Sequence, residues 1–201
     1  MRLPLIPHPT TADVGGLTLE VEVRRAGRVL SLEYALGGPV EMVRWPEAAA
    51  RVHTDGLWRT TCFEAFVAAP LPLEGEGVGG WGGGRTDRAV HDTPAQPSPL
   101  KGEGYYEVNL SPSGAWALYG FDGYREGMCP VETPAPFIVM RQAPGRAVLT
   151  ADVELPAGAT GPIGLCTVIE RWDGAISYWA LAHPSDKPDF HHPESFALEL
   201  P

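Results

Sequence analysis

The chain has 201 residues, of which 44% are hydrophobic and 20% charged, a composition typical of a folded globular domain. Its formal net charge is −10, so it lacks the basic excess that binds nucleic acid or anionic membrane surfaces, and we expect neither as a partner. Glycine and proline are frequent, with 24 and 21 residues, which indicates either many turns or a segment outside the domain.

The N-terminal residues Met1–Thr10 include three prolines and no apolar run long enough for a secretory signal. The sequence also has no run of roughly 18 apolar residues, the length that a membrane-spanning helix needs. Three cysteines without CxxC spacing, Cys62, Cys129 and Cys166, favour reduced, inert thiols over a disulfide framework or a zinc site. Together these features predict a cytoplasmic protein.

Hydrophobic and polar residues alternate along most of the chain, which is the pattern of half-buried β-strands. In Leu17–Val23, leucine and valine alternate with threonine and glutamate, and Val29–Leu36 follows after a short turn. Further strand-like runs, separated by turn residues, are Cys62–Ala68, Tyr105–Leu110, Ala115–Phe121, Phe137–Gln142, Arg146–Leu155, Ile163–Glu170, Ala175–Ala182 and Ser195–Leu200. About ten short strands predict an all-β protein, an antiparallel β-sandwich or a barrel. The one predicted helix is short, at Glu47–Arg51 after Pro46.

One segment departs from this pattern. Leu71–Gly104 contains 34 residues, including 9 glycines and 4 prolines, and has the period of neither a strand nor a helix. Its composition predicts a flexible, disordered insert, and joining Pro70 to Tyr105 would give an ordinary hairpin. We therefore predict a single domain, residues 1–201, interrupted at 71–104. The alternative is a glycine-rich ligand lid, although GWGGGR matches no phosphate-binding motif.

The two ends of this insert can encode each other on opposite DNA strands. Pro97–Gly104, PSPLKGEG, has a possible coding sequence whose reverse complement translates to PLPLEGEG, which is Pro70–Gly77. Arginine outnumbers lysine 13 to 2, which indicates a GC-rich gene. The insert therefore resembles the translated inverted-repeat elements of GC-rich bacterial genes, and a surface loop would tolerate such an addition at little cost.

Two of the predicted strands place acidic and amide groups on a sheet face. Trp58 lies just before the strand that carries Glu64, and Glu107 and Asn109 share one face of the next strand. A tryptophan ring that stacks on a sugar, beside carboxylate and amide groups that bind its hydroxyls, would form a carbohydrate site. The alternative is that these polar side chains occupy the solvated face of an antiparallel sheet.

Three motifs, in order, give the chain a resemblance to a known family. They are LWRTTCFEAFV (57–67), YYEVNLSPSGAWALYGFDGYREGM (105–128) and the ending PDFHHPESFALEL (188–200). The combination resembles the DOMON-like superfamily, in particular its branch similar to family 9 carbohydrate-binding modules. The resemblance spans Leu17–Leu200 apart from the insert, and it implies a β-sandwich that binds sugar or haem noncovalently.

The resemblance also implies a set of site residues. By position, Trp58 is the stacking ring and Glu64 the carboxylate that binds sugar hydroxyls. Glu107 and Asn109 are the neighbouring polar contacts, and a second ring comes from Trp172 or Trp179. The match is imperfect, because Thr60 and Thr61 stand where the modules usually have two aspartates. The identity of the ligand is therefore open.

Haem and a protein partner are the alternative ligands. Haem-binding members of the family use a methionine with a histidine or lysine, and the candidates here are Met42, Met128 and Met140 with His183, His191 and His192. Adjacent histidines in an extended chain face opposite sides, which argues against a metal chelate at the His191-His192 pair. The sequence has no GxSxG, HExxH or P-loop motif. We therefore predict a noncatalytic module for a sugar-like ligand, without a cofactor.

Overall fold

The computed structural model describes residues 1–11, 13–69 and 104–200. The described chain contains eleven strands and three single-turn 3₁₀ helices, at Val40–Met42, Leu57–Arg59 and Pro193–Ser195. The strands are β1 (Arg2–Pro7), β2 (Thr18–Ala26), β3 (Val29–Gly37), β4 (Cys62–Ala69), β5 (Gly104–Leu110), β6 (Trp116–Phe121), β7 (Cys129–Pro130), β8 (Phe137–Ala143), β9 (Arg146–Glu154), β10 (Ile163–Glu170) and β11 (Ile176–Ala180). All pairings between these strands are antiparallel, which confirms the predicted fold class.

The strands form two sheets that share β1. Sheet A has the order β8-β9-β3-β2-β1, and sheet B has the order β1-β11-β10-β4-β5-β6-β7. Residues 2–5 of β1 pair with β2, whereas Ile6 and Pro7 pair with β11. Because β1 passes from one sheet to the other, the two sheets can pack face to face around one core. Within the described ranges, no helix is long and apolar enough to cross a membrane.

The main core lies between the two sheets. Alternate residues of β2, β3 and β9 point inward from sheet A, as their sequence pattern predicts. Tyr34 of β3 is fully buried, and its ring centroid lies 5.1 Å from that of Phe63 in β4. The Tyr34 hydroxyl donates a 2.7 Å hydrogen bond to the backbone carbonyl of Glu64. This contact fixes the centre of sheet B to sheet A.

Sheet B is covered on both faces, whereas the outer face of sheet A carries exposed charges such as Arg2 and Glu22, 3.1 Å apart. Every residue of β6 is buried, and so is every residue of β4 except Ala69. The outer face of sheet B holds a second apolar cluster, which is covered by the turn at Leu57–Arg59 and by the C-terminal segment 183–200. This double covering positions the candidate site.

The predicted helix at Glu47–Arg51 is not formed: residues 47–50 have no regular secondary structure, and Arg51 lies in a bend. The amide of Ala49 donates to the carbonyl of Ser113 at 2.9 Å, and that of Val52 donates to the carbonyl of Ala50 at 2.9 Å. These hydrogen bonds, one of them to a distant part of the chain, replace those of a helix and outweigh the modest helix preference of the alanines. The predicted strand Ser195–Leu200 is likewise reduced to a single bridge, between its Leu198 and β10.

The strands that flank the predicted insert are neighbours, as expected for a hairpin. Ala69 of β4 lies opposite Gly104 of β5, so Gly104 belongs to the sheet rather than to the insert. A glycine is required there, because an added Cβ would lie 2.5 Å from the carbonyl oxygen of Phe121. The rest of the predicted insert, together with the prediction that it is flexible, lies outside the described residues.

Replacing residues 70–103 with the dipeptide Asn-Gly should leave the fold intact, because the ends of β4 and β5 are already paired. A shorter loop loses less entropy on closure, so we expect Tm to be unchanged or to rise by at most about 10 °C. Differential scanning calorimetry with far-ultraviolet circular dichroism checks this expectation. A fall in Tm of more than about 5 °C would show that the segment stabilises the domain.

Candidate functional site

A cavity of about 540 Å³ opens on the outer face of sheet B. It has a floor of strand residues and walls formed by two loops and the C-terminal segment. The floor residues are Glu64, Phe66, Glu107, Phe121, Val168, Ile176 and Tyr178, and the wall residues are Trp58, Arg59, Arg125, Met128, Pro188, Phe190 and His191. The cavity therefore combines aromatic rings with two carboxyl groups.

Strand register brings the two carboxyl groups together. Glu64 lies opposite Asn109, and Glu107 lies opposite Phe66, so the two glutamates are diagonal neighbours on one face. Glu64 is 2% exposed, Glu107 5% and Asn109 0%, so these side chains do not form a solvated sheet face. The alternative considered from the sequence is therefore wrong.

Asn109 lies beneath the cavity and holds Glu107 in place. Its Nδ2 donates a 2.8 Å hydrogen bond to Oε1 of Glu107, and its Oδ1 accepts a weak bond from the thiol of Cys62, with Sγ at 3.6 Å. Glu64 has only the thiol of Cys166, with Sγ 3.7 Å from Oε2, and its Oε1 has no partner among the described residues. Glu64 thus lines the cavity with a carboxyl group that is only partly satisfied by the described residues.

Burial changes the protonation of both carboxyl groups. Burial, followed by the charge of Glu107, raises the pKa of Glu64 well above its usual range. Burial also raises the pKa of Glu107 to about 7, although the hydrogen bond from Asn109 and the charge of Arg125 oppose this rise. Near pH 7 the floor therefore holds protons that exposed glutamates would have lost.

A short hydrogen-bond network links the floor to the wall. The hydroxyl of Tyr105 accepts from the amide of Arg125 at 3.1 Å, which leaves its proton for Nδ1 of His191, 2.7 Å away. The ring proton of His191 is then on Nε2, which faces Oε2 of Glu107 at 3.8 Å. Burial, with the charge of Arg125, lowers the pKa of His191 to about 4, so the ring is neutral at pH 7.

The wall itself is tied together by Asp189. Its carboxylate pairs with the guanidinium of Arg125 at 2.8 Å and accepts from the hydroxyl of Tyr124 and the amide of His191. Arg125 has φ 58°, and it is the one described residue other than glycine in the left-handed region. Strained backbone of this kind often occurs where a loop is held in a fixed position at a site.

Trp58 reaches the cavity because the chain turns sharply before β4. Gly56, with φ 76°, precedes the 3₁₀ turn that carries Trp58, and the indole packs edge-on against Tyr119 with centroids 6.0 Å apart. Thr61 is fully buried, and its hydroxyl bonds the carbonyl of Arg44 at 3.0 Å. Thr61 therefore joins elements of the fold and does not line the cavity.

The structure does not bring the two other predicted tryptophans to the cavity. Trp179 points into the main core, where it is 3% exposed, and its Nε1 donates to Ser177. Trp172 is 68% exposed on the turn between β10 and β11. Neither forms the predicted second ring beside Trp58, and that side of the cavity has Tyr178 and Phe190 instead, with centroids 6.2 Å apart.

Several cavity residues were not predicted from the sequence. Tyr178 and Trp179 are adjacent in β11 and so lie on opposite faces, but the sequence does not show which of the two faces the cavity. Phe190 lies within the closing motif, in which only the two histidines were candidate ligands. Met128 was a candidate for haem alone, and the sequence contains no signal that places Arg125 at the cavity, because it lies in an irregular loop.

The cavity does not fit an axially ligated haem. Of the methionine and histidine candidates, Met128 and His191 line it. Both ring nitrogens of His191 face other groups, Nδ1 the hydroxyl of Tyr105 and Nε2 the carboxyl of Glu107. His192 instead accepts from the amide of Glu194 and so caps the last 3₁₀ turn. In residues 1–11, 13–69 and 104–200, no group of three or more His, Cys, Asp or Glu side chains is placed to hold a metal ion.

Comparisons with known proteins show a likeness in fold. The sequence matches no protein-family model and no curated protein. The structure is similar to that of a "putative carbohydrate-binding protein" from Bacteroides uniformis ATCC 8492, with a TM-score of 0.56, 13% identity, and coverage of 96% of this chain and 83% of that one. A family 9 carbohydrate-binding module from Caldicellulosiruptor kristjanssonii, solved in complex with glucose, aligns with a TM-score of 0.44 and 9% identity over 96% of this chain and 81% of that one. The chain thus shares its β-sandwich fold with the Bacteroides protein.

Replacing Glu107 with glutamine should change how stability depends on pH. A buried acid with a raised pKa contributes stability that is complete below its unfolded value of 4.5 and is lost as pH rises through about 7. Between pH 4 and pH 8, the unfolding free energy of Glu107→Gln minus that of the parent should therefore rise by about 3 kcal/mol. Urea denaturation at several pH values measures this difference.

His191 acts in the opposite direction, because its lowered pKa costs stability as pH falls from 6.5 through about 4. The difference between variant and parent therefore isolates Glu107 better than the pH profile of the parent alone. The matched control is Glu47→Gln, which neutralises an exposed acid outside the cavity. A Glu107→Gln difference that stays constant with pH would contradict the expectation.

Proposed function

We propose that the protein is a noncatalytic carbohydrate-binding β-sandwich that holds its ligand in the cavity beside Trp58. The observation that carries this proposal is that one cavity joins the ring of Trp58 to the buried carboxyl groups of Glu64 and Glu107. A sugar has an apolar face that packs on aromatic rings and hydroxyl groups that both donate and accept hydrogen bonds. The cavity provides groups for both.

The size of the cavity and the chemistry of its lining support a small sugar. Its volume of about 540 Å³ falls within the range of small-molecule sites. A protonated carboxyl donates one hydrogen bond and also accepts. The carboxyl group of Glu64, which lines the cavity and whose Oε1 has no partner among the described residues, can therefore donate to or accept from a sugar hydroxyl. Glu107 is held by Asn109 and so presents its Oε2 in a fixed position. These residues would bind the sugar hydroxyls, while Trp58, Tyr178 and Phe190 would pack on its apolar surface.

The positions of the two carboxyl groups favour binding over catalysis. Glycoside hydrolysis needs two carboxyl groups that flank the scissile bond. Glu64 and Glu107 are diagonal neighbours on one sheet face, so both would approach a bound sugar from the same side. Two further points support the assignment: the sequence resemblance to DOMON-like proteins of the family 9 branch, and the fold shared with the Bacteroides protein.

Substituting Trp58 tests the site directly. Isothermal titration calorimetry with a panel of mono- and disaccharides should identify at least one that binds, and Trp58→Ala should weaken that binding by roughly tenfold or more through lost stacking. Trp172→Ala is the matched control, because it removes an equally large ring that lies outside the cavity. We expect it to bind the sugar like the parent.

Two results would contradict the proposal. The first is sugar binding that Trp58→Ala leaves unchanged while the variant keeps the melting curve of the parent. The second is a Soret band that appears on titration with haem and saturates at one haem per chain, since the nitrogens of His191 are already engaged.

A further inference from the structure

The two cavity carboxyl groups are not balanced by a fixed positive charge. In the described part of the chain, no lysine or arginine lies within ion-pair distance of Glu64 or Glu107. The nearest basic group is the ring of His191, whose Nε2 lies 3.8 Å from Oε2 of Glu107 and which is neutral at pH 7. Among the described residues, the floor of the cavity therefore has no charged basic group.

The two arginines that line the cavity do not fill this role. The guanidinium of Arg125 is paired with Asp189 at 2.8 Å. Arg59 is exposed, so water screens its charge. Both carboxyl groups, by contrast, are almost completely buried, and a buried charge without a partner is costly. A positive group delivered by a ligand would make the strongest new interaction that this floor can form.

The unused atom and the aromatic rings fit such a group. Glu64 lines the cavity, and its buried Oε1 has no hydrogen-bond partner among the described residues, so its carboxyl group has unused capacity to accept from an ammonium group. The rings of Trp58, Tyr178 and Phe190 line the same space. Aromatic faces attract cations, and they also pack on the apolar surface of a sugar ring. A ligand that carries both a ring and an ammonium group would use the whole cavity.

From these observations we propose that the cavity selects amino sugars, whose protonated amino group binds between the carboxyl groups of Glu64 and Glu107. This inference rests on the proposed function and narrows it to one class of carbohydrate. The ammonium group donates to the carboxyl group of Glu64 and lies next to that of Glu107, while Trp58 packs on the sugar ring. Neutral sugars can occupy the same cavity, but without the charge-assisted bond.

Calorimetry on the full chain at pH 7 can compare matched sugars. Each set contains an amino sugar, its N-acetylated form and the neutral parent, for example glucosamine, N-acetylglucosamine and glucose, with galactose and mannose sets alongside. In at least one set the amino sugar should bind about tenfold tighter than both other members, as expected for one charge-assisted hydrogen bond. The neutral parent controls for the bulk of the acetyl group.

Two variants connect the preference to the carboxyl groups. Glu64→Gln should lower the ratio of amino-sugar to neutral-sugar affinity to less than about threefold. A bound ammonium group favours release of the Glu64 proton to solvent, whereas glutamine keeps the shape but cannot become negatively charged. Glu107→Gln should lower the ratio in the same way, and it provides the test if Glu64→Gln does not fold. Glu47→Gln, on an exposed surface outside the cavity, should leave the ratio unchanged.

The outcomes separate the two proposals. If neutral sugars bind as tightly as amino sugars in every set, this inference is overturned and the proposed function stands. If the preference exists but survives in both Glu64→Gln and Glu107→Gln, these carboxyl groups are not its cause and the inference is again overturned. If no sugar of any set binds, the proposed function fails and this inference fails with it.

Discussion

The structure depends on covering the outer face of sheet B, although that face carries acidic side chains. Side chains alternate along a strand, so Phe66 and Glu64 lie on the same face of β4, and burying one also takes the other out of water. Burial of Phe66, Tyr105, Phe121 and Phe196 contributes about 1.5–3 kcal/mol each, which together exceeds the cost of about 3 kcal/mol implied by the raised pKa of Glu107. The rings therefore keep the acids buried, and the cavity is the part of this face that they leave uncovered.

The floor of the cavity is held from both sides of the sheet. Inside the sandwich, Tyr34 donates to the backbone carbonyl of Glu64, and on the outer face Asn109 donates to the side chain of Glu107. Both bonds are buried, so water does not compete for them. The backbone of Glu64 and the carboxyl group of Glu107 are thus fixed before any ligand arrives, which lowers the ordering cost of binding.

Local patterns predicted the strands and part of the site, whereas long-range contacts determined the rest. The alternation in Leu17–Val23 predicts β2, because sheet A has one solvated face. Sheet B is covered on both faces, so the periodicity of β11 does not show that Tyr178 rather than Trp179 faces the cavity. Two prolines, Pro4 and Pro7, obscure β1, which forms through pairing with β2 and β11. The segment that carries Phe190 has no hydrophobic periodicity, because its position depends on packing against rings from other parts of the sequence.

Two contacts hold the cavity wall in place, and they differ in strength. The ion pair between Arg125 and Asp189 leaves half of the arginine side chain exposed, and such pairs are worth at most about 1 kcal/mol. The bond from the hydroxyl of Tyr105 to His191 is shielded by the rings of Phe66 and Phe121, whose centroids lie 5.0 and 5.3 Å from that of His191. Breaking it would leave buried polar groups unpaired, which costs more than the loss of an exposed ion pair. The hydrogen bond between Tyr105 and His191 therefore contributes more to the position of the C-terminal segment than the ion pair of Asp189 does.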